Sequence, residues 1–332
     1  MPAPAAPVAT ARANEGVATE RPASGRPKYW PLLPIFVVHA ALLVVCYLLA
    51  IDFAPAPRLV ASDRVALPGD EVVLRVRLER DLPPLVRSRN AGVEIRSRLV
   101  DGPSSSGQLT PPEGALSVTT TAADGTATFP WTAPPEAGLY RFRADLDEPG
   151  EPGAEKALVG SDFLVRVLTA EQSLVIVAVG SRLGVAQLDE ESTGLLEQLA
   201  KEHAIVYVAL GLGRDPEAAR ARIAEYGLPA GPVLEVPVAV PNDGLDGGLD
   251  SRFDGATVRR TLQAYLDRQI RPRWKNIAWA IATDASQLRA FRLSGLRSLL
   301  VSPTKVREVD DAAIFWAPTW KDAEAMVQRV PP

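Results

Sequence analysis

From residue 31 to residue 51 the chain reads PLLPIFVVHAALLVVCYLLAI, an apolar run without a formal charge. A helix of about 20 apolar residues is the length that crosses the hydrocarbon core of a bilayer. The run therefore predicts a single transmembrane helix over 30–52, with Tyr29, Trp30 and Tyr47 at the interfaces. The stretch 1–29 is rich in Ala and Pro, shows no hydrophobic period, and predicts a disordered tail. Arg12, Arg21, Arg26 and Lys28 precede the run, and no cation follows it until Arg58. The positive-inside bias of Lys and Arg then puts the tail in the cytoplasm and the later domains outside it. The expected localisation is the cell (inner) membrane, as a single-pass protein with extracytoplasmic C-terminal domains and the lipid bilayer as a partner. A cleaved signal peptide fits poorly, because Ala54-Pro55-Ala56 carries a proline at the would-be cleavage site.

Beyond the run the period changes to two. Val72, Leu74, Val76 and Leu78 alternate with Val73, Arg75, Arg77 and Glu79, and Val93, Ile95 and Leu99 alternate with Glu94, Arg96 and Arg98. Leu116 and Val118 lead through Asp124-Gly125 into 126–131, a hairpin signal. Tyr140, Phe142 and Ala144 alternate with Arg141 and Arg143 before 163–168 closes the set. One apolar and one charged face marks half-buried antiparallel strands. Six or seven such strands over 57–168 predict an all-β immunoglobulin-like sandwich.

From 170 to 332 apolar runs alternate with helical patterns. Strands are expected over 174–179, 204–210, 233–236, 277–282, 298–301 and 313–316, and helices over 192–201, 216–226, 256–269 and 286–293. Thr319 and Asp322 have the spacing of a capping box for a terminal helix. This alternation predicts an α/β Rossmann-like open parallel sheet covered on both faces, with any chemistry at the C-terminal strand ends.

Composition narrows the chemistry. The net charge of −4 gives no basic field, which argues against nucleic acid as a partner. Cys46 is the only cysteine, so no intramolecular disulfide can form, and with His39 and His203 the only histidines a His-rich metal site and a Ser/His/Asp triad are both poorly supported. No cofactor motif is complete: in 211–216 a proline stands where a dinucleotide loop needs its third glycine. Asp243, Asp246, Asp250 and Asp254 lie among glycines, but their spacing fits no EF-hand, so no metal site is assigned.

Two stretches in the middle part, LPGDEVVLRVRL and TAADGTATFPWTAPPEAGLYRFRA, resemble bacterial immunoglobulin-like and macroglobulin-type modules, which space, bind or pack. The C-terminal part resembles the haloacid dehalogenase-like phosphatases, in particular their lipin-type phosphatidate phosphatase branch. AIVYVALGLGRDPEAARARIAEYGLPAGPVL carries the strand, crossover helix and Gly-Leu-Pro of that pattern, and IAWAIATDASQLRAFRLSGLRSLLV carries the shape of its fourth motif. The resemblance implies an aspartate nucleophile, a second aspartate as acid and base, a Thr or Ser for phosphoryl oxygens, a cation, and carboxylates for Mg²⁺. On this chain those positions fall on Ala178, Gly180 and Ala209 in the first two motifs and on Thr283 and Gln287 in the fourth. None of those side chains is a carboxylate, so the resemblance implies a pseudoenzyme.

Three functions follow as expectations. The first is a membrane-anchored extracytoplasmic binding or scaffold protein with an unidentified protein partner and a catalytically inactive phosphatase-like domain. The second keeps a phosphorylated ligand or acidic lipid, bound by Ser181, Arg271, Arg273, Lys275 and Asp284. The third is an enzyme of unrelated chemistry at the same strand ends, using Asp284, Thr283 and Ser181.

Overall fold

The structure, a computed structural model, describes residues 33–52, 57–79, 90–103, 117–146, 159–179, 190–210, 216–236, 255–304 and 314–329. The chain divides into two compact units, Met1–Phe53 and Ala54–Pro332.

The first unit contains helix α1 (Leu33–Asp52). His39 Nδ1 lies 2.8 Å from the carbonyl of Ile35, one turn back, so its polar atom bonds within the helix. Among the described residues no helix is long and apolar enough to cross a membrane. That finding corrects the transmembrane helix over 30–52, and with it the single-pass topology, the inner-membrane localisation and the extracytoplasmic placement built upon it. The tail over 1–29 lies outside the described residues.

The second unit begins with β1 (Arg58–Ala61), β2 (Arg64–Ala66), β3 (Glu71–Glu79), β4 (Glu94–Asp101), β5 (Ser117–Thr120), β6 (Thr126–Thr132), β7 (Gly138–Leu146) and β8 (Gly160–Val167). In β3 the alternation is realised as read: Val72, Leu74, Val76 and Leu78 are buried, while Glu71, Val73, Arg75 and Arg77 are exposed. Three strands form an antiparallel sheet in the order β1-β3-β6, and five form a second in the order β2-β8-β7-β4-β5, in which β2 runs parallel to β8. This corrects the all-β immunoglobulin-like sandwich. After β1 the chain leaves its sheet at Ser62-Asp63 and enters the other sheet as β2. There Val65, with Leu168 beyond β8, joins the core of the parallel sheet described next. Alternation fixes which side chains face inward, and it says nothing of which edge a strand joins.

The remainder adds β9 (Leu174–Val179), α2 (Glu190–Glu202), β10 (Ala204–Leu210), α3 (Pro216–Glu225), β11 (Val233–Val236), α4 (Gly255–Tyr265) with one π turn (Leu266–Ile270), β12 (Ile277–Ala282), α5 (Ala285–Leu293), β13 (Ser298–Val301), β14 (Ile314–Ala317) and α6 (Trp320–Arg329). Six strands make a wholly parallel sheet in the order β11-β10-β9-β12-β13-β14. Successive residues of β9 belong to opposite faces. Leu174, Ile176 and Ala178 pack with Val258 and Leu262 of α4 and Leu288 and Phe291 of α5. Val175, Val177 and Val179 pack with Leu195 and Leu199 of α2, Ile223 of α3 and Val327 of α6. Both faces are therefore covered, which is why β9, β10 and β12 are apolar throughout.

Asp63 ties the two parts of this unit together. Its side chain is fully buried and accepts from Leu164 N of β8 (2.8 Å), Val233 N of β11 (2.7 Å) and Arg220 Nη1 of α3 (2.8 Å). Burial raises its pKa above the ordinary value, opposed first by the Arg220 charge and then by the two backbone donors.

Candidate functional site

The C-terminal ends of parallel strands are where this architecture places ligands. The segments after four of them, 180–189, 211–215, 237–254 and 305–313, lie outside the described residues. They include Gly180 and Ser181, the Gly211-to-Gly213 turn and the Asp243-to-Asp254 loop.

At the described strand ends Ala178 and Ala209 are each 1 % exposed. They do not share a face. Ala178 packs on the α4 and α5 side, whereas Ala209 is in register with Val179 and packs on the α2, α3 and α6 side. The two positions that the phosphatase resemblance pairs around a phosphoryl group are thus turned away from each other by the pleat.

After β12 the chain enters α5 through Thr283 and Asp284. Asp284 is the N-cap: its Oδ1 accepts from Ser286 N (2.7 Å) and Gln287 N (2.9 Å). Gln287 is fully buried, and its Oε1 accepts from Thr283 N (3.1 Å), with Thr283 Oγ1 at 3.5 Å. Its Nε2 has no hydrogen-bond partner among the described residues. This trio is a closed helix start, in which the Asp284 carboxylate satisfies backbone donors that the first turn would otherwise leave open. Among the described residues no three His, Cys, Asp or Glu side chains converge as metal ligands would.

Burial raises the Asp284 pKa above 3.8, opposed by the N–H bonds of Gln287 and Ser286. Between 3.8 and the folded value the folded chain holds a proton that the unfolded chain has released. Stability from this group therefore falls as pH rises through that window and is flat above it. Asp284→Asn keeps a capping acceptor and is expected to remove that slope. Asp284→Ala loses the cap and is expected to cost about 1 kcal/mol. Denaturant titrations of the three chains across acid pH check both outcomes.

The cations assigned to a phosphorylated ligand stand elsewhere. Arg271, Arg273 and Lys275 are exposed and precede β12, while Thr283 and Asp284 follow it. The six residues of β12 lie between them, about 16 Å of strand. Arg271 pairs with Asp267 at 3.9 Å and Arg273 reaches Asp70 at 3.5 Å, both in solvent. The structure does not bring these three together with Asp284. His203 also lies at the strand-start edge, where its Nδ1 bonds Ser173 Oγ; burial lowers its pKa, opposed by Glu202.

Sequence reasoning missed two features. The Asp63–Arg220 pair joins residues 157 positions apart, and no local pattern announces it. The other is a cleft of about 280 Å³ between α4 and α5, lined by Arg259, Arg289, Arg292 and Leu293. A signal for it existed, since α4 and α5 together carry four arginines and no Asp or Glu.

No protein-family model matches this chain, and no curated protein does. Among solved structures, PhoD is 12% identical with a TM-score of 0.29, over 64% of this chain and 45% of that one. A glycosyl hydrolase family 2 member from Bacteroides cellulosilyticus DSM 14838 is 12% identical with a TM-score of 0.26, over 83% of this chain and 40% of that one. A chain from the zinc 2-glycoprotein and prolactin inducible protein complex of human seminal plasma is 14% identical with a TM-score of 0.23. That match covers 35% of this chain and 96% of the other. This chain spans less than half the length of the first two structures. At these scores none of the three carries an argument about fold or function.

Proposed function

We propose that this protein is a non-catalytic binding or scaffold protein, whose parallel-sheet part is phosphatase-like without phosphatase chemistry. What supports it is the state of the described strand ends. Phosphoryl transfer by an aspartate nucleophile requires a carboxylate free to attack and further oxygens to hold Mg²⁺. In those places stand two alanines sealed into opposite cores, a Thr and a Gln bonded to each other, and one Asp that caps a helix. Binding is then left to surfaces, and an unidentified protein is the partner class that a scaffold of two sheet-based parts would serve.

The test uses the purified full chain with and without Mg²⁺ on a chromogenic phosphomonoester. The expected result is no hydrolysis above buffer and no change in unfolding midpoint with Mg²⁺. Metal-dependent turnover that Asp284→Asn abolishes would overturn the proposal, because it would make the capping carboxylate a catalytic one.

A further inference from the structure

The parallel sheet ends on β11 at one side and on β14 at the other, and the fold treats the two ends differently. Tyr207 N of β10 donates to Pro232 O, so Val233 turns its backbone away from the sheet. There the Asp63 carboxylate accepts from Val233 N at 2.7 Å and closes that end. At the other end Ser302 N donates to Ala317 O at 3.0 Å, so Ala317 and, by alternation, Phe315 face β13. Ile314 and Trp316 therefore turn their N–H and C=O groups outward, and among the described residues no hydrogen bond is made to those groups.

Open edges are ordinarily blunted by charge, by proline or by a bulge, because unpaired backbone groups template another strand. β14 reads Ile-Phe-Trp-Ala and contains none of these. Ile314 and Ala317 are buried, while Phe315 and Trp316 are half-buried on opposite faces of the sheet. Phe315 is fixed edge-on against Trp279, with ring centroids 5.3 Å apart. Whatever fills this edge is an extended backbone, since a strand presents C=O and N–H groups at the matching spacing. The edge carries no charge, so it holds nothing to select an acidic or a basic peptide. It does hold the symmetry for a copy of itself. With a two-fold axis at Phe315, Ile314 of one chain stands opposite Trp316 of the other, and each such pair exchanges both of its N–H···O=C bonds. The next outward position is Pro318, which has no N–H, so the pairing cannot slide toward α6 without losing bonds.

We propose that β14 pairs antiparallel with β14 of a second copy of this chain, joining the two parallel sheets into one continuous sheet. The interface is isologous, the arrangement of a two-fold dimer, the commonest closed homo-oligomer. In that register Phe315 meets the second copy's Phe315 as a non-hydrogen-bonded pair, the closer of the two antiparallel kinds, at about 4.5 Å between Cα atoms. Aromatic side chains so placed gain from direct contact across the strands. Pairing also covers apolar surface of Phe315 and Trp316 that the single chain leaves to water. The edge of β14 is separate from the strand ends, so pairing here and hydrolysis there succeed or fail independently.

The experiment uses the full chain. Sedimentation of the wild type is expected to show a monomer–dimer equilibrium. Hydrogen exchange at the Ile314 and Trp316 amides is expected to slow roughly tenfold or more as concentration rises through it. Phe315→Lys and Phe315→Glu each set like charges face to face and should weaken the dimer roughly tenfold, whereas mixing the two variants should restore pairing. Phe315→Cys, with Cys46→Ser, should form an interchain disulfide, because the Cα separation suits one. Val73→Cys in the same background, exposed on β3, should not. Unfolding midpoints verify that the variants fold, and the exchange measurement needs no variant. A chain that stays monomeric overturns the proposal. So does association that leaves the Ile314 and Trp316 amides unchanged, which would assign it to another surface. Capture of an extended peptide at β14 by a monomeric chain overturns it too, because the edge would then serve a foreign strand.

Discussion

Asp63→Ala is expected to lower the unfolding free energy by about 3–5 kcal/mol, the usual cost of removing one partner from a buried ion pair. Three donors lose their acceptor at once: Arg220 Nη1, Leu164 N and Val233 N, which come from a helix and from strands of two different sheets. Arg220 Nη2 already lacks a partner among the described residues, so the guanidinium would be left buried with little to satisfy it. The same change should loosen the attachment of the β part to the parallel sheet, because Asp63 is bonded to both. Denaturant unfolding of Asp63→Ala, Arg220→Met and the double variant measures it. The double variant should be more stable than the sum of the single losses predicts, by about 1 kcal/mol or more, since residues in one buried network are coupled. Additive losses would mean that the two side chains act separately.

Ala178→Asp should also destabilise by several kcal/mol, and should not create a phosphatase. Ala178 is 1 % exposed, on the face of β9 that packs against α4 and α5, beside Val208, Ala280 and Leu288. An ionised carboxylate there has no cation to pair with inside that apolar cluster, and desolvation alone is worth several kcal/mol. Ala209→Thr puts its hydroxyl on the other side of the sheet, among Ile223 and Ala219 of α3, so the pair of substitutions cannot surround one phosphoryl group. Thermal unfolding and phosphomonoester hydrolysis of the single and double variants check this. A stable Ala178→Asp chain with Mg²⁺-dependent turnover would mean that the strand ends are open to solvent and still arranged for catalysis.

These expectations rest unequally on sequence and on structure. The apolar runs 174–179, 204–210 and 277–282 mark β9, β10 and β12 at their observed bounds, because a strand covered on both faces must be apolar at every position. Thr319 caps α6 as read: its Oγ1 accepts from Asp322 N at 3.2 Å, while the Asp322 carboxylate accepts from the Thr319 hydroxyl at 2.6 Å rather than from its backbone N–H. Such features are local, decided by residues within one turn or one strand. The charge-free run 31–51 is helical as well, Leu33–Asp52, but its role as a membrane span does not stand, since among the described residues no helix is long and apolar enough to cross a membrane.

The candidate site was legible only in part. That the positions where the phosphatase resemblance would put its catalytic residues hold none of them is visible in the letters at 178, 180, 209, 283 and 287. That Asp284 caps α5, that Ala178 and Ala209 face apart, and that Arg271, Arg273 and Lys275 precede the strand whose far end was suspected is not. Each depends on where a strand starts and which way its pleat turns, and a shift of one residue reverses the answer.

The sequence by itself determined local elements: the alternation that buries Leu74 and Val76, the apolar strands β9, β10 and β12, and the Thr319 cap at the start of α6. The tertiary structure alone decided how they join. It sent β2 into the second sheet beside β8, closed Asp63 onto Arg220 across 157 positions, and set α4 beside α5 so that their arginines share a cleft. The physical reason is range. Hydrophobic period and capping act through neighbours a few residues apart, whereas strand order and charge pairing are settled by contacts between distant segments, which leave no local pattern in the chain.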